Sequence, residues 1–163
     1  MEFSENKKKK LTPQQAKSRA ENYCAYQERA QQEVRNKLYD WGLYPSEVEE
    51  IIVDLIENNF LNEERFAFAY AQGKFKMKGW GRFKIKQGLQ SKNVSSRLVK
   101  EALETIDPDE YFNKLVGVLK KKEKSMTEKD IFKKKQKLAR FGVYRGFENN
   151  LVWEVVHSLL DSD

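Results

Sequence analysis

The apolar residues of this chain repeat at two fixed offsets, and this repeat constrains the fold more than any other feature. An offset of 51 residues pairs Val34 with Ile85, and an offset of 104 residues pairs Val34 with Leu138. Further pairs at the same offsets are Leu38/Leu89, Leu43/Val94, Val48/Val99, Ile52/Leu103, Leu55/Ile106, Gly42/Gly146, Leu43/Phe147, Val48/Val152, Ile51/Val155, Ile52/Val156 and Leu55/Leu159. Small units that cannot close a core alone usually stack on their neighbours. The pattern therefore predicts three copies of one unit.

Short motifs that typically begin helices divide the chain at intervals. Thr12 precedes Pro13 and Gln15, so threonine can cap a helix, proline can occupy its first position and glutamine can complete a capping box. The other predicted N-caps are Ser46 with Glu49, Asn62 with Glu63 and Glu64, Asp107, and Thr127. Between these starts the apolar residues fall at helical spacing. The sequence predicts an all-α protein of three tandem three-helix repeats stacked into an elongated, curved array, with a compact nine-helix globule as the alternative.

Charge divides the chain into regions of opposite sign. The formal net charge is +6, yet the stretch from Glu33 to Glu64 holds nine acidic and two basic residues. From Lys74 to Lys100 there are nine basic residues and no acidic one, and residues 114–145 hold twelve basic and three acidic residues. A basic surface favours an anionic partner. The predicted domains are a disordered basic tail at 1–10, an acidic repeat at 11–60, and basic repeats at 61–106 and 107–163.

The stretch KGWGRFKIK, residues 78–86, allows three interpretations: a phosphate-binding loop, a basic edge strand, or a turn into a helix. A phosphate-binding loop would need G-x-x-x-x-G-K-[ST], or a strand leading into G-x-G-x-x-G, and neither motif is present. Ile85 and Leu89 continue the apolar pattern at a spacing of four, which favours a helix. Residues 79–81 are then a turn, and Phe83 points outward with the lysines. Such a face binds a partner, unless Phe83 packs on the next repeat and the lysines are only solvated.

Residues that could support catalysis are few. His157 is the only histidine and Cys24 the only cysteine, so the sequence lacks a zinc constellation and a Cys–His or Ser–His–Asp set. Capping explains the paired carboxylates at helix starts, with metal-dependent hydrolysis as the alternative. We expect no enzymatic activity, no metal and no cofactor. The sequence shows no signal peptide and no apolar run long enough to span a membrane, which predicts a cytoplasmic protein.

Seven short motifs between Ala20 and Leu160 form a recognisable set. They are Tyr23-Cys24, Glu33-Val34-x-x-Lys37-Leu38, Phe60-Leu61-Asn62-Glu63-Glu64-Arg65-Phe66-Ala67, Lys78-Gly79-Trp80-Gly81-Arg82-x-Lys84-Ile85, Ala102-Leu103, Lys137-Leu138 and Arg145-Gly146-Phe147. Together they resemble the bacterial RecX regulatory proteins. The chain departs from that family at Gly142, where the register and the family lead us to expect a larger apolar residue.

The resemblance implies three tandem three-helix repeats and a protein that binds the RecA recombinase, chiefly as RecA–DNA filaments. It further implies that the protein lies along the filament groove, limits filament extension, and inhibits ATP hydrolysis and strand exchange in recombination and DNA repair. We therefore expect a monomeric regulator of RecA with no membrane partner. Direct contact with DNA is compatible with this expectation.

The residues expected to contact the filament or DNA come from the two basic repeats. The first set is Lys74, Lys76, Lys78, Trp80, Arg82, Phe83, Lys84 and Lys86. The second set is Lys133, Lys134, Lys137, Arg140 and Arg145. We expect protein contact to outweigh DNA contact, because no ladder of stacking aromatic residues accompanies the lysines. The alternative is a helical protein that binds DNA directly through a helix placed in a groove.

Overall fold

The secondary structure of the chain is helical. A computed structural model describes residues 10–161, and these residues form nine α-helices and no strand. The helices are α1 (Pro13–Tyr26), α2 (Gln31–Asp40), α3 (Pro45–Glu57), α4 (Glu63–Lys78), α5 (Arg82–Ser91), α6 (Ser96–Glu104), α7 (Pro108–Ser125), α8 (Ile131–Tyr144) and α9 (Asn149–Leu160). The predicted all-α class is confirmed. Nearly all of the predicted basic tail, residues 1–9, lies outside the described residues.

The helix boundaries follow the repeat that the apolar residues predict. An offset of 51 residues carries both ends of α2 onto the ends of α5, and the start of α3 onto the start of α6. An offset of 104 residues carries the end of α2 onto the end of α8, and the start of α3 onto the start of α9. Val34, Ile85 and Leu138 are fully buried at equivalent positions. The tandem three-helix repeat is therefore confirmed, while the elongated shape and the exact domain boundaries stay predictions.

Each repeat places a left-handed residue at the same position between its second and third helices. Gly42, Asn93 and Gly146 have φ angles of 88°, 58° and 99°, and the same two offsets relate them. Glycine and asparagine adopt this conformation with the least strain, and it commonly ends a helix. The Gly42/Gly146 pair in the sequence pattern therefore reflects a backbone requirement. In the middle repeat Asn93 adopts the left-handed conformation instead of a glycine. The apolar pattern does not predict this residue.

The described residues divide into two compact units. The first contains residues 10–67 and 92–94, and the second contains residues 68–91 and 95–161. Helix α4 begins in the first unit and ends in the second.

The first unit has an aliphatic core. Leu38, Ile52 and Leu55 are buried there together with Cys24, whose exposed fraction is 6%. Burial disfavours the charged thiolate and raises the pKa of Cys24 to about 11. This cysteine is therefore a core residue with an unreactive thiol.

The second unit is built around three aromatic rings. The ring of Tyr111 lies 5.9 Å from that of Phe75 and 5.2 Å from that of Phe147. All three side chains are at most 2% exposed. Such ring pairs stabilise a core beyond the area that they bury. These rings join α4, α7 and the connection between α8 and α9 in one hydrophobic core.

Three of the predicted helix caps are confirmed. The hydroxyl of Thr12 accepts a hydrogen bond from the Gln15 amide at 3.2 Å, and the Gln15 side chain accepts one from Thr12 in return at 3.1 Å. The Asn62 side chain accepts from the backbone amide three residues later at 2.9 Å, and the Asp107 carboxylate does the same at 2.9 Å. These contacts satisfy amides that have no partner inside the helix.

The two other predicted caps, Ser46 and Thr127, are wrong. Helix α3 begins at Pro45, and the carboxylate of Glu47 accepts from the Tyr44 amide at 2.9 Å. The register therefore lies two residues earlier than the Ser46–Glu49 pair suggests. Helix α8 begins at Ile131, and the Asp130 carboxylate caps it at 3.0 Å. Aspartate is at least as good an N-cap residue as threonine, so the sequence alone does not distinguish Asp130 from Thr127 as the cap of α8.

Gly142 is a structural requirement of the third repeat. A methyl group on its Cα would lie 2.9 Å from a methyl carbon of Val152 and 3.3 Å from one of Leu119. Helices α7, α8 and α9 therefore approach one another closely at this point. The larger apolar residue that the register suggests would not fit without displacing those side chains. Helix α8 nevertheless runs unbroken from Ile131 to Tyr144.

Replacing the observed caps with alanine should destabilise the protein, whereas replacing the wrongly predicted cap Thr127 should not. Asn62→Ala, Asp107→Ala and Asp130→Ala should each lower the free energy of unfolding by about 0.5–2 kcal/mol, because each variant loses one cap hydrogen bond. Thr127→Ala is the matched control and should stay within about 0.5 kcal/mol of the wild type. Urea denaturation followed by circular dichroism measures both. A Thr127→Ala loss as large as that of Asp130→Ala would contradict the observed start of α8.

Candidate partner-binding surface

The turn at residues 79–81 joins α4 to α5, as the sequence predicts, and its two glycines have different tasks. Gly79 has a φ of 64°, which suits glycine. Gly81 lies against the backbone that follows α8: its amide donates to the Arg145 carbonyl at 2.9 Å, and the Phe83 amide donates to the Gly146 carbonyl at 3.0 Å. A Cβ on Gly81 would lie 2.3 Å from the carbonyl carbon of Gly146. The turn is thus fastened to the α8–α9 connection.

Arg82, a member of the first predicted set, is half-buried and forms contacts within the second unit. Its guanidinium donates to the Glu148 carboxylate at 2.6 Å and lies 3.8 Å from the centre of the Tyr111 ring. The Tyr111 hydroxyl accepts from the Arg82 amide at 3.0 Å and donates a short hydrogen bond to Glu148. Burial, followed by the hydrogen bond to Glu148, raises the pKa of Tyr111. Arg82 therefore joins α5 to α7 and to Glu148, the N-cap residue of α9. The positive charge of Arg82 in the sequence does not indicate this structural role.

Arg145, a member of the second set, is also used internally. Its guanidinium donates to the Lys78 carbonyl at 2.8 Å. Lys114 donates to the Lys76 carbonyl at 3.1 Å. The last carbonyls of a helix have no partner within it and attract positive charge. Arg145 and Lys114 therefore stabilise the end of α4. Lys114 is not a member of either predicted set.

A group of lysines and aromatic rings, here called the lysine–aromatic cluster, consists of Lys74, Trp80, Phe83, Lys84 and Tyr144. The ammonium groups of Lys74 and Lys84 lie 4.9 Å and 4.7 Å from the centre of the Trp80 ring. The Lys84 ammonium also lies 5.4 Å from the centre of the Tyr144 ring. Ammonium groups are attracted to ring faces at such distances. Tyr144 is the member that the sequence sets omit.

The remaining lysines of the first set face solvent. Lys76, Lys78 and Lys86 are exposed, and no carboxylate among the described residues forms an ion pair with them or with the two lysines of the cluster. An unpaired ammonium keeps its full attraction for an external anion. These side chains are therefore available to a partner, in contrast to Arg82.

The second set on α8 is partly neutralised. Lys134 pairs with Glu123 at 2.6 Å, and Lys137 pairs with Glu128 at 2.7 Å. Lys133 and Arg140 are exposed, and no carboxylate of residues 10–161 lies within ion-pair distance of either. The structure thus separates the second set into two free cations, two paired lysines and the internally used Arg145.

The described residues hold neither a metal-binding group of side chains nor a membrane-spanning helix. Between residues 10 and 161 no group of three or more His, Cys, Asp and Glu side chains could hold a metal ion. His157, on α9, lies 3.1 Å from Asp161, the residue that follows this helix. None of the helices in this part of the chain is long and apolar enough to cross a membrane.

The fold and this surface define a class of protein, namely tandem three-helix domains with a basic surface that carries exposed aromatic rings. Three family models match in order: RecX, first three-helix domain, at residues 16–55; RecX, second three-helix domain, at residues 62–103; and RecX, third three-helix domain, at residues 109–156. The Regulatory protein RecX of Pasteurella multocida is 34% identical over 125 residues, covering 76% of this chain and 75% of that protein. The chain belongs to the RecX family.

Other similar proteins agree with this family, although some are longer. The Regulatory protein RecX of Clostridium tetani is 32% identical over 135 residues, which cover 82% of this chain and 60% of that relative. The chain spans 55% of the length of the Bacillus mycoides relative, at 23% identity. The crystal structure of RecX from Lactobacillus salivarius superposes with a TM-score of 0.80 at 23% identity, over 91% of this chain and 96% of that one. This structural likeness supports the fold.

Proposed function

We propose that the chain binds RecA and RecA–DNA filaments and inhibits filament extension, ATP hydrolysis and strand exchange. The observation that carries the proposal is membership of a family whose relatives are named Regulatory protein RecX. The partner and the inhibition come from the resemblance described above. Under this proposal the protein acts in the cytoplasm as a monomer and without a cofactor.

The surface chemistry supports a binding mode without catalysis by this chain. Tandem repeats place several contact patches on one polypeptide, so that individually weak contacts with neighbouring filament subunits add through effective concentration. The unpaired lysines of α4 and α5 would meet acidic protein surface or DNA phosphate. The acidic stretch from Glu33 to Glu64 would meet basic surface. Opposite charge at two regions of one chain would fix its direction on the filament.

The proposed contact residues are the exposed and half-buried cations of the two sets that have no carboxylate or carbonyl partner among residues 10–161. They are Lys74, Lys76, Lys78, Lys84, Lys86, Lys133 and Arg140. Trp80 and Phe83 would contribute through the lysine–aromatic cluster. Arg82, Lys134, Lys137 and Arg145 would contribute indirectly, because each already has a partner within the chain.

The direct test is RecA activity on single-stranded DNA. Purified protein added to preformed filaments should lower the rate of ATP hydrolysis and the yield of strand exchange in a concentration-dependent manner. The same protein should slow the growth of filaments when it is added before RecA has saturated the DNA. Unchanged ATP hydrolysis at a concentration equal to that of RecA would contradict the proposal. Tight binding to naked duplex DNA with base preference, without an effect on RecA, would favour the DNA-binding alternative.

A further inference from the structure

The lysine–aromatic cluster leaves two large rings open to solvent. Tyr144 is 77% exposed and Phe83 is 56% exposed. Both line one depression of about 370 Å³ together with Lys84, Gln87, Val143 and Gly146, and no acidic residue lines it. The fold brings its two walls together, because the backbone contacts between residues 81–83 and 145–146 fasten α5 to the end of α8. The depression is therefore a built feature of the second unit.

We propose that this depression binds single-stranded nucleic acid, with an unpaired base stacked on the Tyr144 ring and phosphates beside Lys84 and Lys74. Aromatic side chains stack on bases of any sequence, and neighbouring cations hold the backbone. The Lys84 ammonium, 5.4 Å from the centre of the Tyr144 ring, stands where it can reach the phosphate of a stacked nucleotide. The Gln87 amide can donate to and accept from a base edge. A duplex would not fit this role, because its bases are already stacked on one another.

Charge favours nucleic acid over an acidic protein surface as the occupant. No acidic residue lines the depression, and neither Lys74 nor Lys84 pairs with a carboxylate of residues 10–161. Other cations of the same basic stretch do form such pairs, namely Arg82, Lys92 and Arg97. Protein surfaces ordinarily mix both signs, whereas a nucleic-acid backbone is uniformly anionic. A carboxylate partner would also leave the exposed ring of Tyr144 without a stacking partner. The sequence-based preference for protein contact rests on the absence of stacking rings beside the lysines. The fold brings the ring of Tyr144 to Lys84 and so places a stacking ring there.

This inference goes beyond the proposed function, because filament inhibition can proceed through protein contacts alone. The test therefore uses nucleic acid without RecA. Fluorescence anisotropy of the full chain with a labelled dT oligonucleotide of about 16 nucleotides is compared with an abasic oligonucleotide of equal length and charge. The wild type should bind the dT oligonucleotide at least about fivefold more tightly than the abasic one, because only the former can stack. An rU oligonucleotide of the same length distinguishes RNA from DNA.

Substitutions then locate the site. Tyr144→Ala should bind the two oligonucleotides with similar affinity, and Tyr144→Phe should restore the preference because phenylalanine keeps the ring. Tyr26→Ala is the matched control, since Tyr26 is an 84% exposed tyrosine of the first unit. Equal wild-type affinity for dT and abasic DNA would overturn the proposal whether or not the variants fold. So would an unchanged preference in Tyr144→Ala, or tighter binding to a duplex hairpin.

Discussion

Replacing Gly81 with alanine is expected to destabilise the protein by about 3 kcal/mol or more. The added methyl group would lie 2.3 Å from the carbonyl carbon and 2.4 Å from the carbonyl oxygen of Gly146. These are backbone atoms, so no rotation of a side chain can relieve the clash. The substitution would separate two segments that share two backbone hydrogen bonds, and overpacking of this kind is among the few mechanisms that give large losses.

A second glycine supplies the control for this prediction. Gly117 lies inside α7, and a Cβ added there would meet no other side chain within 4 Å. Gly117→Ala should therefore stabilise the protein by about 0.5–1 kcal/mol, because alanine loses less entropy in a helix. Thermal and urea unfolding of both variants measure the difference. A Gly81→Ala protein as stable as Gly117→Ala would mean that the α8–α9 connection does not contact the turn at residues 79–81.

Neutralising three exposed lysines of α4 and α5 is expected to weaken inhibition of the RecA filament about tenfold or more. The triple variant Lys76→Gln, Lys78→Gln and Lys86→Gln removes cations that have no carboxylate partner among the described residues. Its fold should therefore be preserved, while charge pairs with the filament are lost together. Half-inhibition of ATP hydrolysis on preformed filaments gives the change in apparent affinity. Arg82 is left unchanged because its replacement would disturb the contact with Glu148.

A second triple variant controls for net charge. Lys120→Gln, Lys124→Gln and Lys129→Gln removes the same three charges from exposed positions outside both predicted sets. Its half-inhibition concentration should change by less than about threefold, since only long-range electrostatics is altered. Equal losses in the two variants would indicate a general effect of charge and would remove the α4–α5 surface as the specific contact. Circular dichroism of both variants establishes that helicity is unchanged.

The helices and their repeat could be predicted from the sequence because the signals are local. Apolar periodicity and caps such as Thr12 and Asp107 act within one turn of their own helix, so spacing alone exposes them. The same spacing misplaced two helix starts. Helix α3 has Tyr44 as its N-cap, without a side-chain cap, and Asp130 rather than Thr127 caps α8.

The surface could be predicted only in part, because its decisive contacts join distant segments. The sequence identifies Arg82 as a basic residue, but its partner Glu148 is 66 positions away. Tyr144 likewise comes to Lys84 only through the approach of Gly81 to Gly146. Nothing local to residues 74–86 distinguishes the cations that are used internally from those that face solvent. The packing of α5 against α7 and against the α8–α9 connection separates them.

The burial of Cys24 makes the natural sequence a convenient background for site-directed labelling. With a pKa of about 11, this thiol is ionised in about one molecule per thousand at pH 8, and its side chain is almost wholly covered. Maleimide dyes, and photo-cross-linkers attached through a maleimide, would therefore react slowly with the unaltered chain. A cysteine introduced by Met77→Cys, at a position that is 83% exposed beside Lys76 and Lys78, would be the readily modified thiol. Mass spectrometry of its cross-linked products would identify the partner residues within reach of the tether.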